Sequence, residues 1–366
     1  MVEFNGITDP TYNENTKYSG LDNFFLKFIN DKRDLPFVYL SIKITVILLP
    51  VFILLMTEPD FLSGWKWWAV AVTYLLVMLL KLMPPFTLML HNTSHNVLYK
   101  KKYGFMNYYI PWFVGLFFGQ SPKTYYGHHI GMHHSENNLP WDDSSTMQYQ
   151  RDSLIDFMKY YWGFIFFGIK NLAQYFTFRK QPKNRTMVIR GELFFFVLMF
   201  MFGYFVSLKA TLLLMFMPMM IIRFAMMAGN WGQHAFVDKR TPGSSFRNTI
   251  SCINSPYNHL CFNDGHHIGH HLHPNQHWTD MPDNFVEEIP LLAENRCIVF
   301  QKLDFFLVWF WLMRKRYDVL EANFVNLENK FSSSEDVIAL LKERTQKFTK
   351  EEIAFSMVDE LSQKRR

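Results

Sequence analysis

The sequence is poor in cysteine and has little net charge. Only 3 of its 366 residues are cysteine, and Cys252, Cys261 and Cys297 have no paired spacing. This excludes a disulfide framework and a cysteine-rich zinc site, and it fits a reducing cytosolic environment. The net charge is +5. Basic residues that flank apolar stretches beside anionic lipid account for that charge, so we expect no nucleic-acid partner.

Charged residues are rare in three long apolar stretches, 38–56, 61–80 and 193–228. Each of the first two approaches the roughly 20 residues that cross a bilayer as a helix, and the third is long enough for a tight helical hairpin. Helices in the core of a soluble protein are usually shorter and amphipathic, which disfavours that alternative. The sequence therefore predicts four transmembrane helices arranged as two hairpins.

Lysine and arginine predict the orientation of these helices. They gather before the first stretch, after the second and before the third, whereas the loop between the first two, 57–67, contains few of them. The positive-inside rule then places both termini and the long central segment in the cytosol. The start of the chain has no signal-peptide pattern, so we expect the first span to be a retained anchor. The membrane would be the endoplasmic reticulum in a eukaryote or the inner (plasma) membrane in a bacterium.

Shorter apolar segments predict helices that do not cross the membrane. We interpret 103–119 and 160–176 as interfacial or re-entrant helices, and 305–313, with nine residues, as a helix on the membrane surface. The expected fold is an all-α integral membrane protein with a cytosolic helical cap. Its predicted parts are a cytosolic N-terminal segment (1–37), a membrane domain that contains the histidines (38–280) and a cytosolic helical C-terminal region (281–366).

The histidines are confined to one part of the chain. All 14 lie between His91 and His277, and they form four groups on the predicted cytosolic side. His91 and His95 follow the second span. Asn230 and His234 follow the fourth, again four residues apart, and residues with this spacing share one face of a helix. Two such pairs at the same depth indicate a shared site.

Two similar stretches hold most of the other histidines. GHHIGMHH, at 127–134, contains His129, His133 and His134, and GHHIGHH, at 265–271, contains His267, His270 and His271. Each places three imidazoles within about one helical turn. The spacing also leaves His266 open as a substitute for His267, because its offsets to the following histidines repeat those of His129.

A cluster of this size predicts a metal centre. Neutral imidazole is the commonest metal ligand in proteins, and a tetrahedral zinc needs only four ligands, so this number fits two transition metals. A redox metal beside a membrane is suited to activating O2 against a C–H bond of a lipid chain. Ligating histidines usually donate their second N–H to a carboxylate or carbonyl. Nearby candidates for that role are Glu136, Asp142, Asp143, Asp238, Asp264 and Asp280.

These groups, in this order, resemble the histidine boxes of the membrane fatty acid desaturase superfamily over residues 38–280. The resemblance implies two Fe ions, O2 as co-substrate, a fatty acyl substrate within membrane lipid, and desaturation of that chain. Electrons would come from an external donor resembling cytochrome b5 or ferredoxin, since no His-Pro-Gly-Gly haem motif occurs. The implied metal ligands are His91, His95, His129, His133, His134, Asn230, His234, His267, His270 and His271.

One departure from the acyl desaturase pattern keeps a second activity open. Three residues separate His129 from His133, whereas many acyl desaturases have two at this position and the alkane hydroxylases of the same superfamily have three. A di-iron hydroxylase of a lipid or alkane chain is therefore the alternative. A membrane carrier of metal or haem is a third reading, disfavoured because transport sites lie near the midplane of the bilayer.

Overall fold

The chain is mostly helical in the computed structural model, which describes residues 1–363. Its contacts divide it into two compact units, each assembled from separate stretches of sequence. The first, here called the histidine unit, comprises Met1–Thr11, His129–Tyr175 and the residues from Phe224 onward. The second, here called the span unit, comprises Tyr12–His128 and Phe176–Arg223.

Among the described residues, four helices are long and apolar enough to cross a membrane. They coincide with the predicted spans, and their bounds are Lys32–Thr57, Trp65–His95, Pro182–Phe205 and Leu208–Gln233. The other elements before residue 129 are short: Gly20–Leu26, Asp60–Leu62, Lys101–Tyr108, Tyr109–Trp112, Val114–Phe118 and Thr124–His128. The segment 103–119, predicted to be an interfacial or re-entrant helix, therefore forms three consecutive short helices.

The second long helix continues to His95 despite two consecutive prolines. A π-helical turn, Met78–Leu82, precedes an α-helical segment, Met83–His95, in which Pro84 and Pro85 lie in the first turn. Backbone N–H groups in the first turn of a helix have no partner within it, so proline is tolerated there. The helix therefore carries His91 and His95 four residues apart in its last turns.

Glycine allows close backbone contacts inside the span unit. A Cβ atom at Gly191 would lie 1.7 Å from the carbonyl oxygen of Pro122. A Cβ atom at Gly119, whose φ is +71°, would lie 2.4 Å from the Cα atom of Met219. Close approach of this kind, through small residues, is typical of helix packing in membranes.

The histidine unit contains most of one long helix, up to Tyr175, and many short elements. The long helix, Leu154–Phe178, includes the segment predicted at 160–176, and the helix Phe305–Met313 has the predicted bounds. Phe305, Val308 and Leu312 are buried, so one face of the latter helix packs inside the unit. The remaining helices are His129–His133, His134–Glu136, Ser245–Asn248, Pro256–Leu260, His267–Leu272, Met281–Glu287, Ile289–Glu294, Tyr317–Ala322, Leu327–Asn329, Ser334–Arg344 and Lys350–Gln363.

Two strands correct the expectation of an all-α fold. Ile250–Ile253 pairs in parallel with Ile298–Gln301, and Ile250 lies opposite Ile298. The first strand is entirely buried and the second nearly so. Buried parallel strands are continuous apolar runs without alternation, and four residues are too few for a periodic pattern, so the sequence does not reveal them.

Candidate metal centre

Four histidines of the histidine unit converge on one point. Each of His133, His234, His267 and His271 offers a ring nitrogen, and these four atoms lie within 4.8 Å of one another. They come from three separate elements: the helical segment that begins at His129, the residue that follows the helix Leu208–Gln233, and the short helix His267–Leu272. Neutral imidazole nitrogens that face a common point form a ligand set for a transition metal.

Hydrogen bonds fix the orientation of two of these rings. Nδ1 of His133 lies 2.7 Å from Oδ2 of Asp142, and the Ser144 hydroxyl donates to Oδ1 of the same carboxylate at 2.7 Å. Nδ1 of His234 donates to the backbone carbonyl of Asn248 at 2.9 Å. Because a carbonyl can only accept, Nδ1 of His234 carries the proton and Nε2 presents a lone pair. This arrangement of the outer nitrogen is typical of metal-ligating histidines.

Burial favours the neutral form of two of these rings, His234 and His271. Burial, followed by the neighbouring His133, lowers the pKa of His234 to about 3. Burial and the adjacent histidines also lower the pKa of His271 well below its ordinary value. Nε2 of His271 is buried and has no hydrogen-bond partner within residues 1–363. A buried ring nitrogen without a partner is costly unless something occupies the position it faces, so this donor set fits a bound metal ion.

A second group in the same unit comprises His129, His134 and His270. Their ring nitrogens also lie within 4.8 Å of one another. Nε2 of His134 lies 3.1 Å from Nε2 of His129 and 2.9 Å from Nε2 of His270. Here too the atoms that face each other are ring nitrogens, so the group offers three ligands toward one point.

His91 and His95 form a pair at the end of the second long helix in the span unit. Their ring centroids are 5.2 Å apart. The spacing of four residues places both rings on one face of the helix, as the sequence predicts. The pair therefore has the local geometry of two neighbouring ligands.

The stretch 127–134, in which three residues separate His129 from His133, contains a π-helical turn. His129–His133 forms this turn, and Met132 within it is 1% exposed. A π-helical turn contains one residue more than an α-helical turn, and such turns occur frequently at functional sites. His129 and His133 therefore lie within one turn of this segment, and their ring centroids are 5.6 Å apart.

The amide nitrogen of Asn230 is occupied. It donates to the backbone carbonyl of Ser144 at 3.0 Å and to the hydroxyl of Tyr160 at 2.8 Å. Only the amide oxygen of Asn230 is therefore left to bind a metal or a water molecule. Its nitrogen instead ties the helix Leu208–Gln233 to the loop that supplies Asp142.

The structure separates His266 from His267. Nε2 of His266 lies 2.8 Å from Oδ2 of Asp9, and both side chains are fully buried. His267 belongs to the first group of ring nitrogens, whereas His266 belongs to neither group. Other histidines also have partners elsewhere: His273 lies 2.9 Å from a carboxylate oxygen of Glu288, and His277 lies 2.8 Å from the hydroxyl of Thr279.

Of the six acidic residues singled out from the sequence, Asp142 contacts a histidine of the two groups. Glu136 accepts a hydrogen bond from Tyr175, and Asp143 accepts one from Asn171. Asp238 forms ion pairs with arginine side chains. Sequence reasoning missed Asp9 and the carbonyl of Asn248, because a partner 257 residues away and a backbone atom leave no local signal.

Comparison with known families gives one match. The sequence model of the family described as fatty acid desaturase matches residues 65–302. This range includes every histidine of the chain and covers about two thirds of its length. Searches of curated proteins and of solved structures found no match.

Proposed function

The chain belongs to the fatty acid desaturase family, and we propose that it is a di-iron enzyme that introduces a double bond into a fatty acyl chain. Family membership makes it an oxidoreductase that acts on fatty acyl chains. The four apolar helices make it an integral membrane protein. The observation that carries the proposal is the convergence of imidazole nitrogens into two groups within the matched region.

We assign one iron to His133, His234, His267 and His271. The second is assigned to His129, His134 and His270 together with His91 and His95. The last two are included because of their spacing on the second long helix and because of the resemblance to the histidine boxes. The amide oxygen of Asn230 would contribute directly or through water. Nitrogen ligands alone do not choose among iron, copper, nickel and zinc, so the family supplies the identity of the metal.

The chain's own residues prepare this centre for chemistry. When bound, the two irons would supply the redox chemistry by which O2 attacks an unactivated C–H bond, which side chains cannot perform. Asp142 and the carbonyl of Asn248 hold two imidazoles in the tautomer and orientation that a ligand needs. Burial favours the neutral form of His234 and His271. In the balanced reaction, O2, two electrons and two protons combine with two hydrogens of the acyl chain to give two waters and one double bond.

The proposed topology is two hairpins with the histidines on the cytosolic side. Residues 1–11, 129–175 and those from 224 onward form one compact unit, which supports it. Segments that pack together lie on the same side of a bilayer, so the chain between them crosses an even number of times. The charge distribution supports the cytosolic side. The membrane would be the endoplasmic reticulum or a bacterial inner membrane, and the electron donor a separate protein resembling cytochrome b5 or ferredoxin.

Hydroxylation of a lipid or alkane chain is the second candidate, favoured by the three residues between His129 and His133. The π-helical turn weakens this argument, because it accommodates the additional residue inside the helix. The two reactions share the same centre. They differ in whether the carbon radical loses a second hydrogen or binds oxygen.

Two measurements test the proposal. Metal analysis of the detergent-purified protein should find about two Fe per chain; one Zn and no Fe would contradict it. Mass analysis of the fatty acids, alkanes and sterols of an expressing host should show products that lack two hydrogens. Products that gain one oxygen atom would instead establish the hydroxylase.

A Soret band in the purified protein, or metal flux into proteoliposomes, would favour a carrier.

A further inference from the structure

We propose that the first eleven residues hold the histidine-rich stretch 265–271 in place, and that Asp9 is a positioning residue for the ligand helix His267–Leu272. His266 is the intermediary, since it contacts Asp9 and directly precedes that helix. The inference rests on the proposed metal centre, because its consequence is retention of iron. It assigns a role to a segment for which the sequence gives no chemical signal.

Backbone hydrogen bonds tie the beginning of the segment into the histidine unit. The N–H of Val2 donates to the carbonyl of Phe324 at 2.8 Å, and the N–H of Asn326 donates to the carbonyl of Val2 at 2.9 Å. Val2 therefore lies beside Val325 in a parallel bridge. These bonds fix the segment to the region that follows the second strand.

Asn254 fixes the middle of the segment. Its amide nitrogen donates to the carbonyl of Gly6 at 2.9 Å, and its amide oxygen accepts the N–H of Thr8 at 2.7 Å. The backbone N–H of Asn254 donates to Oδ2 of Asp9 at 2.9 Å. Asp9 is therefore held by Asn254, which directly follows the first strand, as well as by His266.

The contact between Asp9 and His266 lies in the interior. The exposed fraction of the side chain is 0% for Asp9 and 1% for His266, and the two atoms are 2.8 Å apart. A hydrogen bond to a carboxylate is stronger than a neutral one, and removing one buried partner leaves the other unsatisfied. Loss of Asp9 therefore leaves Nε2 of His266 unsatisfied and removes a restraint on the position of this ring.

His266 transmits this restraint to the ligand helix. Its carbonyl accepts the N–H of His270 at 3.0 Å, and its ring lies 5.6 Å from that of Phe285. The ring of Phe4 also packs against Phe285, with the two ring centroids 6.0 Å apart. Ile268, inside the ligand helix, belongs to the apolar cluster against which Val2 and Phe4 pack. A ligand must be held to within about 0.5 Å, so a shift of His266 misplaces His267.

The test compares Asp9→Ala with Glu3→Ala in the full-length, detergent-purified protein. Glu3 is an exposed carboxylate on the same segment, which makes it a matched control. The readout is the rate at which a chelator removes iron. Asp9→Ala should lose iron roughly tenfold faster than the native protein, the lower end of the effect of outer partners on metal affinity. Glu3→Ala should match the native rate. Equal rates for the two variants would overturn the proposal.

Substitution of His266 provides a second, independent comparison should Asp9→Ala fail to fold. Glutamine at this position keeps an N–H donor for Asp9, whereas phenylalanine keeps the ring shape and removes the donor. His266→Gln should retain iron and His266→Phe should lose it faster. Equal retention of iron by both variants would overturn the role of the contact with Asp9. Rapid loss of iron by both would indicate that His266 is itself a ligand, which would also overturn the proposal.

A third readout separates this inference from the proposed function. If the native protein binds no iron, the metal assignment fails. Hydrogen exchange of residues 266–272 in metal-free protein then decides the positioning role. Faster exchange in Asp9→Ala than in Glu3→Ala would support it, and equal exchange would overturn it.

Discussion

The two units are stabilised by different interactions. In the span unit, a long apolar helix approaches the backbone of another segment closely at Gly191. In the histidine unit, buried polar side chains bind backbone carbonyls. Arg151 is fully buried and donates to the carbonyls of Ala235 at 3.0 Å, Arg344 at 2.9 Å and Gln346 at 2.7 Å. We therefore expect the effect of a substitution to depend on the added side-chain volume in the span unit, and on the hydrogen bonds lost in the histidine unit.

Removal of a proposed metal ligand, without any increase in side-chain volume, should have the largest effect in the histidine unit. His267→Ala should abolish activity and lower the iron content, because one imidazole of the first group is lost. His273→Ala is the control, since the side chain of His273 is 51% exposed and pairs with Glu288. Activity and bound iron, measured on the same preparations, test the expectation. Equal behaviour of the two variants would refute the ligand assignment.

The span unit should instead respond to a single methyl group. Gly191→Ala should lower the free energy of unfolding by about 3 kcal/mol, because the new Cβ clashes with the carbonyl of Pro122. Gly203→Ala, on the same helix, is the control, as its Cβ would lie 3.6 Å from the nearest atom, in Leu208. Thermal unfolding in detergent measures both. Similar midpoints would show that the close backbone approach at Gly191 does not stabilise this unit.

Two adjacent aspartates in the histidine unit allow the contact with His133 to be compared with a nearby carboxylate that lacks this contact. Asp142→Asn should weaken iron binding by about 10- to 100-fold, because His133 loses its carboxylate partner. Asp143→Asn should leave iron affinity unchanged, since Asp143 contacts Asn171 instead. Iron titration with a competing chelator measures the ratio. A loss of affinity in both variants would argue that any nearby charge matters, and not the contact with His133.

The smallest expected effect is a pH dependence at Asp143. Burial raises the pKa of this carboxyl to about 6. It therefore binds its proton more tightly in the folded state, and this contribution to stability is lost as the pH rises through 6. Asp143→Asn, always neutral, should exceed the native free energy of unfolding by about 2 kcal/mol at pH 8, and the gain should vanish near pH 4. Unfolding midpoints across this range provide the test; a gain independent of pH would contradict the assignment.

The sequence predicted those features that depend on local patterns. The apolar spans, the pair His91 and His95 and the helix Phe305–Met313 all follow from composition and from residues three or four apart. The carbonyl of Asn248 and the side chain of Asp9 could not be predicted, because each meets a histidine through the folding of distant segments. The π-helical turn at His129–His133 was likewise hidden, since only backbone hydrogen bonds distinguish it from an α-helix.

The contacts of the first eleven residues impose an order on biosynthesis. The amine of Met1 pairs with Glu321, which lies 320 residues later in the chain. The segment is synthesised before its partners, which follow it by 257 residues at His266 and by 320 residues at Glu321. The histidine unit can therefore close only after the span unit has been synthesised, and the closing contact is among the longest in sequence. Contacts of such separation form slowly, so assembly of the ligand helix would be the last step of folding.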